Sequence, residues 1–366
     1  MSRDSLVPQP LRQIPWGMLA MVCAIAGFGL IVLYSAAGGS MTPWAQSQGT
    51  RFLIFLFLAI ILSRVGEDGV KGVAIPAYVI LLGMLVAVEL FGFVRGGSRR
   101  WLDLGIIRLQ PSELMKVAIV LAVARFYDLL PASAIRSWTA IWIPALMIGF
   151  PMILVMAQPD LGTSLMICLG GITVAFLAGL PLRLFVGAGL ALAAALPLAL
   201  SMMHGYQRDR VEIFLNPESD PLGTGYHIIQ SKIAIGSGGV FGKGFLGGTQ
   251  SHLDYLPERH TDFVFATMAE EWGLIGGCGI IGAYLLVLRW GMGVAGRARS
   301  RFSRLTAAGL TTTIFFYVAI NLSMVMGMAP VVGIPLPLVS FGGSAMMTVL
   351  ICLGLLMAID RSARRN

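Results

Sequence analysis

Ten runs of apolar residues, most of them close to the length that spans a bilayer, constrain this chain more than any other feature. A long apolar segment in hydrocarbon must pair its own backbone groups, so each run reads as a helix. The runs fall near 16–35, 52–64, 73–94, 112–127, 138–157, 161–180, 184–203, 263–288, 305–328 and 344–360. The second and fourth are short, and an alternative start for the second lies within Trp44–Thr50. Charged residues make up only 12% of the chain, against about 25% in a soluble domain. The fold expected is therefore all-α: one polytopic integral membrane domain over residues 1–366. The first run is too long for a signal-peptide core and reads as an uncleaved first helix.

The charge distribution orients these helices. With the N-terminus inside, cytoplasmic segments carry Arg64, Lys71, Arg136, Arg183, Arg297 to Arg304 and Arg361 to Arg365, while short outer loops hold Arg51, Arg95, Arg99, Arg100 and Arg108. That asymmetry puts both termini in the cytoplasm. The loop 95–111 breaks the rule with four arginines outside, which suits an anionic ligand or anionic lipid head groups. The four cysteines sit inside apolar runs and show neither metal spacing nor a disulfide framework.

Two connections stand out. Residues 204–262 form a large extracytoplasmic loop between the seventh and eighth helices, with helical spacing over Tyr226–Ile235 and then a glycine-rich stretch, Gly236 to Gly248. Gly242-Lys243-Gly244 is no phosphate loop, because Ser237 stands where the earlier glycine belongs and no Ser or Thr follows the lysine. No Asp-x-Asp pair occurs, which argues against a metal-dependent transferase using nucleotide sugars. The outer loop 329–343 contains three prolines and is expected to fold back and line a cavity, or else to pack under its neighbours.

A few polar residues need a reason to be where they are, since an intramembrane charge costs about 2.5–3.5 kcal/mol. Glu113 and Lys116 lie at i, i+3 on the fourth helix, one face apart by a single turn. A helix start after Pro111-Ser112 explains Glu113 but not the lysine. Asp160, in Gln158-Pro159-Asp160-Leu161-Gly162-Thr163, is an N-cap or a partner for a cation. At least one of Glu270 and Glu271 should face the interior. Asp262, following Leu256-Pro257-Glu258-Arg259-His260-Thr261, stands where the long loop re-enters the bilayer; it is either a helix cap or a base acting on a lipid head group.

Several separated motifs, in order, resemble one family. They are Gly97-Ser98-Arg99-Arg100-Trp101, Gln110-Pro111-Ser112-Glu113 with Lys116, the Gln158–Thr163 segment, Gln230–Gly239, Leu256–Phe263 and Pro337–Ser344. Over nearly its whole length the chain is similar to the SEDS proteins (shape, elongation, division and sporulation), membrane glycosyltransferases that polymerise peptidoglycan from lipid II. Glu258-Arg259-His260 and Gly247–Ser251 are similar to the elongation branch, RodA, rather than to FtsW of division. The resemblance implies that Asp262 is the catalytic aspartate, that Glu113, Lys116 and Asp160 line a cavity beneath it, and that Arg51 and Ser340 lie near it.

The chemistry implied is inverting transfer of a glycan from undecaprenyl pyrophosphate to a sugar hydroxyl of a second lipid II. One base suffices, because pyrophosphate leaves without a proton. Arg51, Arg99, Arg100, Lys116, Arg208, Arg210 and Arg259 are candidates to stabilise the leaving charge, with His260 beside them. The sequence specifies no cofactor; a divalent cation held by Glu113 or Asp160, magnesium or manganese, is a candidate. The expected partners are a class B penicillin-binding protein with the elongation machinery, not nucleic acid. The site would face the cell exterior or periplasm from the cytoplasmic (inner) membrane. A lipid II flippase is the main alternative, and a recruiting scaffold the third.

Overall fold

The computed structural model describes residues 14–95, 98–103, 108–202, 205, 212–220, 223–253, 255–256 and 258–365. Their long helices are α1 (Trp16–Ala36), α2 (Ala45–Leu62), α3 (Glu67–Phe91), α4 (Pro111–Leu129), α5 (Thr139–Ala157), α6 (Leu161–Leu177) and α7 (Leu182–Met202). After α8 (Thr224–Ser237) and the short α9 (Thr249–His252) come α10 (Val264–Arg297), α11 (Arg301–Val325) and α12 (Gly343–Arg365). The second run does begin early, at Ala45, and this moves Arg51 from the expected outer loop onto the second turn of α2. The basic loop 95–111 holds a small antiparallel sheet, β1 (Phe93–Arg95), β2 (Ser98–Asp103) and β3 (Arg108–Leu109), which apolar periodicity did not foreshadow.

Among the described residues seven helices, α1, α2, α3, α5, α10, α11 and α12, are long and apolar enough to cross a membrane. The protein is a multi-pass membrane protein. Helix α4 falls outside that set because it carries Glu113, Lys116, Arg125 and Asp128. It needs no lipid-compatible surface, since α3, α5, α6, α11 and α12 all pack against it and bury most of its length. At the end of the bundle opposite the long loop, arginines tie helix ends together. Arg301 donates to Leu130 O at 3.1 Å and Ala178 O at 3.2 Å, the C-caps of α4 and α6, while Arg361 donates to Arg64 O at 2.6 Å. A cation at two carboxyl-terminal helix ends satisfies orphan carbonyls and opposes both dipoles.

Helix α10 is broken. Gly273 has φ 62° and ψ −160°, a conformation that opens the hydrogen-bond ladder on both sides of it. The glycine-rich stretch fills the gap: Lys243 N and Gly244 N donate to the carbonyls of Glu270 and Glu271, each at 3.0 Å. In return Leu274 N and Ile275 N donate to Gly239 O at 2.9 Å and Val240 O at 3.2 Å. Both glutamates are buried. Glu270 Oε1 accepts from Lys243 Nζ at 2.6 Å, Thr249 N at 2.8 Å and Gln250 N at 3.0 Å, so it caps α9 and pins the loop. Glu271 accepts from Ser35 on α1.

The proline-rich segment also enters the bundle, with Ile334, Leu336, Leu338, Val339 and Ser340 buried. Leu336 N donates to Ser340 Oγ at 2.8 Å, Gln48 Nε2 to Ser340 O at 2.7 Å, and Tyr284 Oη to Pro337 O. It comes so close to α1 that a Cβ on Gly29 would lie 2.7 Å from Val339 Cα. Gly29→Val is therefore expected to lose roughly 1–3 kcal/mol or more, read as a lower melting temperature in detergent. Gly27→Val, with nothing within 4 Å, should leave it unchanged. Glu270→Ala should speed amide exchange across residues 243–252 while leaving that of α4 alone.

Candidate active site

The site is built where the long loop returns to the bundle. Leu256 is buried, and the turn that follows delivers Asp262 to the head of α10. Phe263, at φ −103° and ψ 18°, occupies the N-cap position and makes no side-chain cap, so Asp262 stands one residue ahead of the cap rather than on it. Asp262 is partly exposed. Asn321 Nδ2 donates to its carbonyl at 2.9 Å, and also to Ile334 O at 2.7 Å. Gly333, in the proline-rich loop, backs the carboxylate: a Cβ built there would sit 3.6 Å from Asp262 Oδ2.

Beside Asp262 runs a ladder of cations and rings. The His260 imidazole stacks on Trp44, with centroids 4.1 Å apart and planes 7° from parallel, and meets Phe341 at 6.0 Å. Arg259 lies 5.8 Å from the Trp44 ring and Arg51 lies 5.1 Å from the Phe341 ring. Arg259 Nε donates to Ala36 O at 3.0 Å, fixing the ladder to the end of α1, and Phe341 N donates to His260 O at 2.7 Å. Cation–π contacts of this kind hold a guanidinium in place on an aromatic face. Four elements separated by up to 300 residues thus converge on one rim.

One turn deeper lies a buried polar cluster. Lys116 Nζ donates to Glu113 Oε1 at 2.6 Å and to Tyr317 Oη at 2.7 Å. Tyr317 Oη donates to Glu113 Oε2 at 2.6 Å, and Thr348 Oγ1 donates to the same oxygen at 3.1 Å. Tyr317 and Asn321 are successive residues on one face of α11, so the cluster sits about 6 Å below the Asp262 peptide. Lys116 is 1% exposed, which commits its ammonium to the bundle and not to an incoming ligand.

Asp160 is the expected N-cap, accepting from Thr163 N at 3.1 Å, and it is also a cation partner: Arg100 lies 3.8 Å from Oδ2 and Gln110 Nε2 donates to it at 3.4 Å. Arg100 Nε further donates to Gln158 O at 3.1 Å, binding the small sheet to the start of α6. Arg99 is exposed on β2, away from these contacts. Arg208 and Arg210 lie outside the described residues. The Ser340 hydroxyl accepts from Leu336 N–H and folds the loop behind the site. Sequence reasoning gave no role to Tyr317, Asn321, Thr348, Gln110 or Trp44, although Tyr317 and Asn321 at i, i+4 within the apolar run Ile314–Leu322 carried a readable signal.

Comparisons with known proteins identify the family. The sequence matches the FtsW/RodA/SpoVE cell cycle protein family over residues 16–365. It is 46% identical to the peptidoglycan glycosyltransferase MrdB of Escherichia coli K12, across 93% of this chain and 92% of that one. It is 39% identical to stage V sporulation protein E of Bacillus subtilis, across 77% and 76%. Among solved structures, a chain from a peptidoglycan synthase complex that coordinates polymerization and crosslinking superposes with a TM-score of 0.84 at 33% identity, covering 96% of this chain and 99% of that one. The Thermus thermophilus rod shape determining protein RodA superposes at 0.73 with 31% identity, covering 96% and 98%. The chain belongs to the FtsW/RodA/SpoVE family, the SEDS proteins.

Proposed function

We propose that the chain is a RodA-like peptidoglycan glycosyltransferase that polymerises lipid II, with Asp262 as its base. The observation that carries the assignment is the difference in access among the central carboxylates. Glu113 is buried against Lys116, and Asp160 is buried beside Arg100, whereas Asp262 is partly exposed at the mouth of the bundle. An acceptor sugar hydroxyl can reach only the last of these. Asp262 takes the hydroxyl proton as the oxygen attacks the anomeric carbon from the face opposite the pyrophosphate. The bond to the pyrophosphate oxygen breaks, and configuration inverts. Arg259 and Arg51, held on aromatic faces beside it, supply charge for the leaving group.

The arginine-rich end of the bundle faces the cytoplasm under the positive-inside rule, so the site opens on the outer surface of the cytoplasmic membrane. A transpeptidase partner of the class B penicillin-binding type would cross-link the strands this site makes, since the chain carries no nucleophile motif of that type. The divalent cation considered for Glu113 or Asp160 does not suit this arrangement. Both Glu113 oxygens are taken by Lys116, Tyr317 and Thr348, and Asp160 is shared between Thr163 N–H, Gln110 and Arg100. Among the described residues no three His, Cys, Asp or Glu side chains converge.

Polymerisation of labelled lipid II by purified protein with its transpeptidase-blocked partner tests the assignment. Asp262→Ala and Asp262→Asn should each lose at least ~100-fold in rate at unchanged partner binding. Normal polymer from both would sink it, and lipid II crossing vesicle membranes without polymer would favour a flippase. Glu113→Gln should destabilise the fold by about 3–5 kcal/mol by stranding Lys116, with the Glu113→Gln, Lys116→Met pair recovering much of that loss.

Burial pushes the His260 imidazole below its ordinary range; Glu258 opposes the shift and Arg259 adds to it. The unfolded chain then binds more protons than the folded one just below the ordinary value of about 6.5. Stability should fall as pH drops from that value through the folded one. Melting curves in detergent between about pH 7.5 and 5.5 read this, and His260→Phe, which keeps the stack, should flatten the slope.

A further inference from the structure

Asn321 has no exposed surface, and its amide nitrogen spends both hydrogens on main-chain carbonyls from two distant segments. One carbonyl belongs to Asp262, the other to Ile334 in the proline-rich loop. The residue before Ile334 is Gly333, which backs the Asp262 carboxylate. Asn321 is therefore a staple between the turn that presents the carboxylate and the loop that walls it. Its amide oxygen is buried and accepts no hydrogen bond among the described residues. An orphaned buried oxygen lowers stability, so an apolar residue of like volume would serve better if packing α11 were the only task. What an apolar residue cannot do is fix the distance between those two carbonyls.

We infer that Asn321 is a positioning residue of the transfer reaction: it holds the Asp262 main chain and the facing loop at the separation that aims the carboxylate at the acceptor hydroxyl. The inference rests on Asp262 being the base. It differs from a general stabilising role, because the neighbours of Asn321 are also braced by other contacts. Phe341 N–H to His260 O, Tyr284 to Pro337 O and Gln48 to Ser340 O all persist without it. Removing the amide therefore loosens the aim of Asp262 without releasing the loop. A misplacement of this kind lowers turnover and leaves substrate affinity, which depends on the rim arginines and the lipid, nearly as it was.

The test is steady-state polymerisation of lipid II by the protein with its blocked partner, comparing wild type, Asn321→Leu, Asn321→Ala and Asp262→Asn. Leucine keeps the volume and removes both donors; alanine adds no bulk and serves if leucine does not fold. The expected result is kcat lower by roughly 10- to 100-fold in both, with KM within about twofold, beyond the modest loss of melting temperature that two stranded carbonyls bring. Unchanged kcat, or a fall in kcat accompanied by a severalfold rise in KM, overturns the positioning role while Asp262→Asn remains inactive. If Asp262→Asn keeps the wild-type rate, the base assignment fails first and the inference with it.

Discussion

Inside hydrocarbon every backbone N–H and C=O must find its partner within the protein, and much of this architecture follows from how two departures from regular helix meet that demand. The break in α10 at Gly273 would leave the carbonyls of Glu270 and Glu271 and the N–H groups of Leu274 and Ile275 without partners; the glycine-rich loop supplies all four. The proline-rich loop after α11 makes few regular bonds and is closed instead by Ser340, Gln48, Tyr284 and Asn321. Both irregular segments converge on the end of the bundle where Asp262 stands. The active site is the place where helix gives way to backbone that side chains must complete.

Charge follows the same logic. Lys116 and Glu113 are tolerable at the centre of the bundle because each neutralises the other and Tyr317 and Thr348 occupy the remaining lone pairs. Glu270 is matched by Lys243, and Asp360 by Arg297 and Arg364. The carboxylates of these pairs are buried and serve structure, while Arg51 and Arg259 rest on rings at the rim. That division of labour separates groups that hold the scaffold from groups that can meet an anionic lipid. It also gives α11 a central place, since Tyr317 serves the deep cluster and Asn321 the rim.

What could be read from the sequence was whatever is local. Apolar run length located the ten long helices, and spacing alone paired Glu113 with Lys116. The capping preference of Asp160 was visible for the same reason. Ordered motifs identified the family, and the resemblance singled out Asp262. What was not legible depends on contacts between distant segments. No local pattern announces that Ser35 meets Glu271, 236 residues away, or that Gln48 meets Ser340, 292 residues away. The break at Gly273 was hidden inside a continuous apolar run, because a glycine among glycines gives no warning. The depth of Lys116, one of several candidates for the pyrophosphate, cannot be judged from the α4 sequence, and apolar length places helix starts such as that before Arg51 poorly.

The four-bond splice at Gly273 has a consequence for how this chain tolerates change in length. Its register is fixed by alternate donors and acceptors on residues 239, 240, 243 and 244 against residues 270, 271, 274 and 275, so the splice behaves like a short strand pair with no slack. One residue gained or lost between Gly239 and Gly244 would put one pair of donors or acceptors out of step with the other. The glycine-rich stretch is thus the part of the loop whose length is set by the break in α10.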